Sequence, residues 1–260
     1  MKATKIQLKK YDCHYIFEDF GKAQTIIFSN SLGADTSMWS EQVERLKHQY
    51  NILRYDTRGH GASSSPQDAY TVADLGEDII DLLDHLKLEK VAFCGLSMGG
   101  LIGQWLGIYH PERFSHIVLA NTAAKIGNEQ GWNDRISYVK TNGLESILGG
   151  TAERWFTPAF RQNQPQKVQE VLQVFVGTDL QGYMNCCAVV RDADFRGQLL
   201  GLNVPVLVIS GQQDAVTTPT DGDYLQQHIP VAQHRTTDAA HLSSVEQGAE
   251  FSAFLLSFIQ

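Results

Sequence analysis

The chain has 260 residues, a formal net charge of −8 and a pI of about 5.5. That length suits one α/β core with an insertion, and with 43% hydrophobic and 19% charged residues the chain can bury a large core without staples. The acidic balance and the lack of any Lys/Arg run argue against nucleic acid and anionic membranes as partners, while local Arg placement leaves a small anionic substrate open.

The N-terminal stretch MKATKIQLKKYDCHY alternates like a strand and has no long apolar region, so no export signal is expected. No apolar run reaches the roughly 18–20 residues that a membrane span needs. The four cysteines, Cys13, Cys94, Cys186 and Cys187, form no CxxC pair and read as reduced thiols. A soluble, cytoplasmic protein is the expectation.

In chain order, residues 5–8 and 13–17 alternate around a short turn, as an opening hairpin does. TIIFS at 25–29 is a short apolar run of the kind buried on both faces of a sheet. A loop, SNSLGADTSMW, leads to a short helix at 41–48 and a strand at 51–55. After the turn RGHGASSSP, apolar residues at Val72, Leu75, Ile79, Leu82, Leu83 and Leu86 have helical spacing over 71–86.

A strand at 91–94, a glycine-rich turn, an apolar helix at 101–109 and a strand at 116–120 follow. From about 123 to 190 there are helical patterns and two tryptophans but no convincing core strand. The sheet resumes with VPVLVIS at 204–210 and continues at 232–236, and an apolar helix over 249–259 closes the chain.

Strand alternating with helix implies a mostly parallel sheet, here eight-stranded, with helices on both faces. The expected division is a core of 1–122 and 191–260 with a helical cap, 123–190, inserted after the sixth strand. A cap so placed lies over the carboxyl ends of the strands, where open α/β sheets bind ligands.

Gly95-Leu96-Ser97-Met98-Gly99 directly follows the strand VAFC and directly precedes a helix. In a G-x-S-x-G turn the central residue is strained, and a Cβ on either flanking residue meets the neighbouring strand or helix. The turn resembles the nucleophile elbow of α/β-hydrolases, in which the triad follows in the order Ser, acid, His. A serine hydroxyl needs a base held by a third group. Of nine histidines, His241 alone has the right order and sits on a loop between a strand-like segment and the last helix. His60 is assigned to a tight turn. Asp214 follows the strand VPVLVIS; Asp192 and Asp194 precede that strand, and Asp221 and Asp223 fall in the next helix, so Asp214 is the expected acid.

A tetrahedral oxyanion needs preorganised N–H donors. One is the residue after the nucleophile, Met98. The other comes from the loop after TIIFS, where the Leu32 N–H is the candidate. Many relatives carry His-Gly before this position; this chain has Asn30-Ser31.

SNSLGADTSMW, RYDTRGHGAS, CGLSMGGLIGQWLG, LANTAAKIG, GYMNCCAVVRDAD and AAHLSSVE span nearly the whole chain and resemble the 3-oxoadipate enol-lactonases. The elbow and RGHG are shared by many α/β-hydrolases. SNSLG, NTAAKIG with the following Trp132, and CCAVVRD are more particular to the lactonases.

The resemblance implies hydrolysis of a lactone ring through an acyl-enzyme, with no metal and no cofactor. It also implies a substrate carboxylate, for which a cationic partner is expected among Arg135, Arg154, Arg161 and Arg191. Arg135, one helical turn from Trp132, is the first choice, with Trp132 and Trp155 as pocket walls. The same triad serves other small esters or lactones, carbon–carbon bond hydrolases and cofactor-free perhydrolases. A ligand-binding receptor that has lost catalysis is the rival from another class, because fold alone does not fix function.

Overall fold

Every residue of Thr25–Ser29, Asn51–Tyr55, Val91–Leu96 and Val206–Gly211 is buried. Such runs offer no polar face to solvent, so they form the middle of a sheet covered on both sides. The computed structural model, which describes residues 3–260, has these segments at the sheet centre. Residues 1 and 2, the start of the expected core, lie outside the described residues.

The strands are β1 (Ala3–Gln7), β2 (Asp12–Glu18), β3 (Thr25–Ser29), β4 (Asn51–Tyr55), β5 (Val91–Leu96), β6 (Phe114–Ala120), β7 (Val206–Gly211) and β8 (Ala232–Thr237). They form one eight-stranded sheet in the order β1-β2-β4-β3-β5-β6-β7-β8. The pairs β1/β2 and β2/β4 are antiparallel, and all others are parallel.

The order reverses direction between β3 and β5. After β3 the chain moves outward to β4; after β5 it moves the other way to β6. Loops leaving the carboxyl ends of two such strands diverge and leave a crevice. Leu32 follows β3 and Ser97 follows β5, so the two loops that matter most flank this crevice.

The helices of the first half are α1 (Ser40–Leu46), α2 (Val72–His85) and α3 (Met98–Tyr109). Thr71 caps α2 in a reciprocal box with Asp74, and the stripe Leu75, Ile79, Leu82 and Leu83 is buried. Between β6 and β7 the described residues hold α4 (Glu129–Asn142), α5 (Leu148–Trp155), α6 (Pro158–Asn163), α7 (Pro165–Val176) and α8 (Leu180–Asp192), and no strand. Asn128, Thr157 and Asp179 cap α4, α6 and α8 with their side chains. The chain ends with α9 (Pro219–His228), α10 (Ser243–Glu246) and α11 (Gly248–Phe258).

Most boundaries shift by one to three residues from expectation, and three of the differences lie close to the site. β7 begins at Val206, not 204, because Pro205 has no N–H for a ladder; its carbonyl accepts from the Ile117 N–H at 3.0 Å. α3, expected from 101, begins at Met98, so Gly99 and Gly100 lie inside its first turn. The closing helix, expected over 249–259, is α11 (Gly248–Phe258), and the short α10 precedes it, with Gln247 between them out of helical conformation (φ −123°, ψ 44°).

Candidate active site

Ser97 occupies φ 60°, ψ −112°, a conformation that side-chain-bearing residues rarely adopt. The turn is held by Ser97 N–H donating to the Ala120 carbonyl at 2.9 Å and by Thr122 Oγ1 donating to the Ser97 carbonyl at 2.9 Å. The flanking glycines are forced by contact. A Cβ on Gly95 would lie 2.1 Å from the Gly99 carbonyl oxygen, and one on Gly99 would lie 2.3 Å from the Ser29 carbonyl oxygen.

The elbow points Ser97 Oγ at His241 Nε2, 2.9 Å away. His241 Nδ1 is in turn 2.8 Å from Asp214 Oδ2. All three are buried, with relative exposures of 7%, 3% and 3% for Ser97, His241 and Asp214. Thus the sequence-predicted serine, acid and histidine stand in one hydrogen-bonded line, although His241 is 144 residues from Ser97 and 27 from Asp214.

Asp214 takes more than one bond. Its Oδ1 accepts from the Val216 and Thr217 N–H groups at 2.8 and 3.1 Å. Its Oδ2 also accepts from Asn121 Nδ2 at 2.9 Å and Thr217 Oγ1 at 2.8 Å. Burial pushes the carboxyl pKa up, but the His241 charge and the hydrogen bonds from His241, Asn121 and Val216 outweigh it and hold the group at about 2. The carboxylate is ionised and aimed at the imidazole.

Asn121 and Thr217 are partners of Asp214 that the sequence does not single out. Asn121 directly follows β6 with φ 43°, and Ser243 Oγ donates to its Oδ1. The signal was present as the NTAAKIG segment, which marks the resemblance, but nothing local assigns Asn121 a partner in the Asp214 loop.

The Leu32 loop is built from three sides. Asn30 is fully buried; its amide donates to the Tyr55 carbonyl at 2.9 Å and its Oδ1 accepts from Trp39 Nε1 at 2.8 Å. The Gly33 N–H donates to His60 Nε2 at 2.9 Å, and His60 Nδ1 faces the Arg58 carbonyl at 3.0 Å. His60 is therefore more than the turn residue that the sequence assigns, since its ring ties the RGHG turn to the residue after Leu32. Burial lowers the imidazole pKa against the raising effect of that carbonyl, so Nε2 remains an acceptor.

Met98 is the first residue of α3, where the N–H has no partner within its own helix. Among the described residues the Leu32 N–H has no hydrogen-bond acceptor.

A narrow cavity of about 40 Å³ opens onto Ser97 and His241, with Leu32 on its wall. The remaining wall includes Trp132, Arg135, Arg154 and Trp155. The expected residues Trp132, Arg135 and Trp155 are thus at the pocket, and Arg154 joins them. Arg191 instead bonds Asp192 and Asn133, and neither it nor Arg161 lines the cavity.

Arg135 Nε donates to Tyr183 Oη at 2.8 Å, and its guanidinium lies 5.7 Å from the ring centres of both Trp132 and Tyr183. Trp132 Nε1 donates to the Ile126 carbonyl at 2.8 Å. Trp155 meets Phe175 edge-to-face at 5.4 Å, and its carbonyl accepts from the Leu242 N–H at 3.0 Å, which joins α5 to the His241 loop.

Comparison with known proteins identifies the family. The profile of the α/β hydrolase fold family matches residues 24–247. 3-Oxoadipate enol-lactonase 2 of Acinetobacter baylyi is 45% identical over 250 residues, 95% of this chain and 94% of that protein. Enol-lactonase 1 of the same organism is 46% identical over 238 residues, 92% of this chain and 89% of its own length. The crystal structure of the enol-lactonase from Burkholderia xenovorans superposes with a TM-score of 0.96 at 38% identity, covering 98% of this chain and 99% of that one. The chain belongs to the α/β hydrolase fold family and, within it, to the 3-oxoadipate enol-lactonases.

Proposed function

We propose that this protein hydrolyses the ring ester of 3-oxoadipate enol-lactone to 3-oxoadipate, a step in the β-ketoadipate pathway, with Ser97 as nucleophile, His241 as base and acid, and Asp214 as the group that orients and charges the imidazole. The observation that carries the reading is the line Asp214–His241–Ser97, at 2.8 and 2.9 Å, facing a cavity walled by arginines. The 45% identity over nearly the full length of an enol-lactonase supports the substrate.

Ser97 Oγ attacks the lactone carbonyl as His241 Nε2 takes its proton. The carbonyl oxygen becomes an oxyanion and takes hydrogen bonds from the Leu32 and Met98 N–H groups, two donors left free by the loop and by the helix start. Collapse breaks the bond from the carbonyl carbon to the ring oxygen. That oxygen leaves as an enol with the proton returned by His241, and the enol becomes a ketone. An enolate is a better leaving group than an alkoxide, so little acid assistance is needed. Water then attacks the acyl-enzyme with His241 again as base, and the new carboxylate departs from Ser97.

In this reading the segment 123–190 is the cap, and Trp132 and Trp155 close the apolar side of the pocket. Arg135 receives the carboxylate that the substrate carries outside its ring. The acidic net charge and the absence of a Lys/Arg run favour a small anionic molecule over nucleic acid or a membrane surface. Four free, buried cysteines fit a cytoplasmic protein. No helix among the described residues is long and apolar enough to cross a membrane.

The test supplies freshly generated enol-lactone and follows loss of its ultraviolet absorbance with wild type and with Ser97→Ala. Fast loss with wild type and near-background loss with the variant is the expected result. A wild-type protein that is labelled at Ser97 by a fluorophosphonate yet leaves the lactone untouched retains the triad and overturns the substrate.

A further inference from the structure

The walls of the active-site cavity contain two guanidinium groups, of Arg135 and Arg154, and among the described residues no carboxylate. Arg135 bonds Tyr183, and Arg154 Nη2 donates to Thr151 Oγ1 at 3.2 Å. Neither arginine makes an ion pair among the described residues. Both are half-buried. Burial first, and the Arg135 charge second, pull the Arg154 guanidinium below its ordinary pKa. Two like charges held together without a counter-ion are an arrangement that an incoming anion relieves.

The same two side chains also line a second space. An open groove of about 550 Å³ between α4 and α5 has Arg135, Arg154, Tyr138, Ser146 and Ile147 on its wall. Its one carboxylate, Asp134, accepts from Gln130 and pairs with neither arginine. Arg135 and Arg154 are the residues common to the groove and the inner cavity. The inner cavity has room for a few water molecules only, so it must widen before a six-carbon lactone reaches Ser97, and the groove lies on the far side of the wall that Arg135 and Arg154 form.

We propose that the α4–α5 groove is the entrance to the active site and that Arg154, with Arg135, forms a two-guanidinium gate that selects small carboxylates and passes them to Ser97. The inference rests on the proposed lactone hydrolysis for its substrate, but its geometry concerns any small carboxylate.

Arg135 is fixed by a hydrogen bond and two aromatic faces, whereas Arg154 is held by one long bond to a threonine. Arg154 is thus the half of the gate that moves. Hydrolysis turns a substrate with one carboxylate into a product with two. A gate with two unneutralised guanidinium groups therefore binds the product at least as well as the substrate, and simple C5–C6 dicarboxylates are expected to occupy it.

The experiment titrates the whole protein calorimetrically with adipate and compares wild type, Arg154→Met and Arg154→Lys, each first checked for an intact thermal unfolding transition. Adipate is expected to bind wild type, to bind Arg154→Met about tenfold or more weakly, and to recover part of that loss with Arg154→Lys. Ser146→Trp, which fills the groove from outside, is expected to lower kcat/KM for the enol-lactone more than it lowers kcat.

Equal adipate affinities in wild type and Arg154→Met, no adipate binding to wild type, or undiminished kcat/KM in Ser146→Trp each overturn the gate. Failure of the wild type to open the lactone, combined with Arg154-dependent adipate binding, removes the substrate assignment and leaves the gate standing.

Discussion

Asn121 Nδ2 donates to Asp214 Oδ2 at 2.9 Å from the end of the neighbouring strand, in a backbone conformation (φ 43°) that only a few residue types tolerate. The amide cannot carry a proton to or from the imidazole. It fixes which Asp214 oxygen faces His241, and it stabilises the carboxylate in its charged form. We expect Asn121→Gly, which keeps the backbone conformation and deletes the amide, to lower kcat about tenfold with a smaller change in KM. Steady-state kinetics on the lactone checks this; an unchanged kcat removes Asn121 from the positioning set.

The elbow tolerates no side chain at Gly99. A Cβ there would lie 2.3 Å from the Ser29 carbonyl oxygen and 2.8 Å from its carbon, and these are backbone atoms of a fully buried central strand. Gly99→Ala must push β3 from β5 or distort the first turn of α3. It should cost about 2 kcal/mol or more in urea unfolding, together with most of the activity. A variant of wild-type stability would show that the contact relaxes freely.

The N–H group proposed as the oxyanion donor at Leu32 is backbone and cannot be deleted by substitution, but its support can. His60 Nε2 accepts the Gly33 N–H at 2.9 Å and is 1% exposed. His60→Phe fills similar space and leaves that N–H without an acceptor, so the loop loses its fixed position. Because an oxyanion forms only along the reaction path, kcat should fall about tenfold while KM moves less. A rise in KM with unaltered kcat would assign His60 to substrate binding instead.

What the sequence reveals and hides follows the distance over which each signal acts. β3, β5 and β7 announce themselves as short apolar runs, because a strand covered on both faces has no polar alternation to keep. Ser97 is legible because the steric demands on Gly95 and Gly99 are written within five residues, and Asp214 and His241 because each follows a strand in the required order. Asn121 and His60 carry no such local mark. Their partners lie 93 and 27 residues away, at the ends of two neighbouring strands and between two loops. Between β6 and β7, α4 fully buries only Val139, so its helical pattern is weak and its pocket-lining residues, Trp132 and Arg135, are picked out by resemblance rather than by periodicity.

The acid side of the stability profile reports on Asp214. Its carboxyl is held at about 2 in the folded protein, against about 3.9 in an unfolded chain. A depressed folded value means that the fold favours the ionised form. The contribution is therefore complete above the unfolded value and drains as pH falls through the folded one, amounting to about 2–3 kcal/mol in total. About 1 kcal/mol of that is already lost at pH 3. Asp74 and Asp194 are also held near 2, but both are more open to solvent and their pairs with Lys10 and Arg196 are screened. Comparison with Asp214→Asn cancels them. Urea unfolding at pH 5 and pH 3 should show wild type losing about 1 kcal/mol more than the variant. Equal losses would mean that the His241 charge and the hydrogen bonds around Asp214 serve orientation alone and add nothing to the stability of the fold.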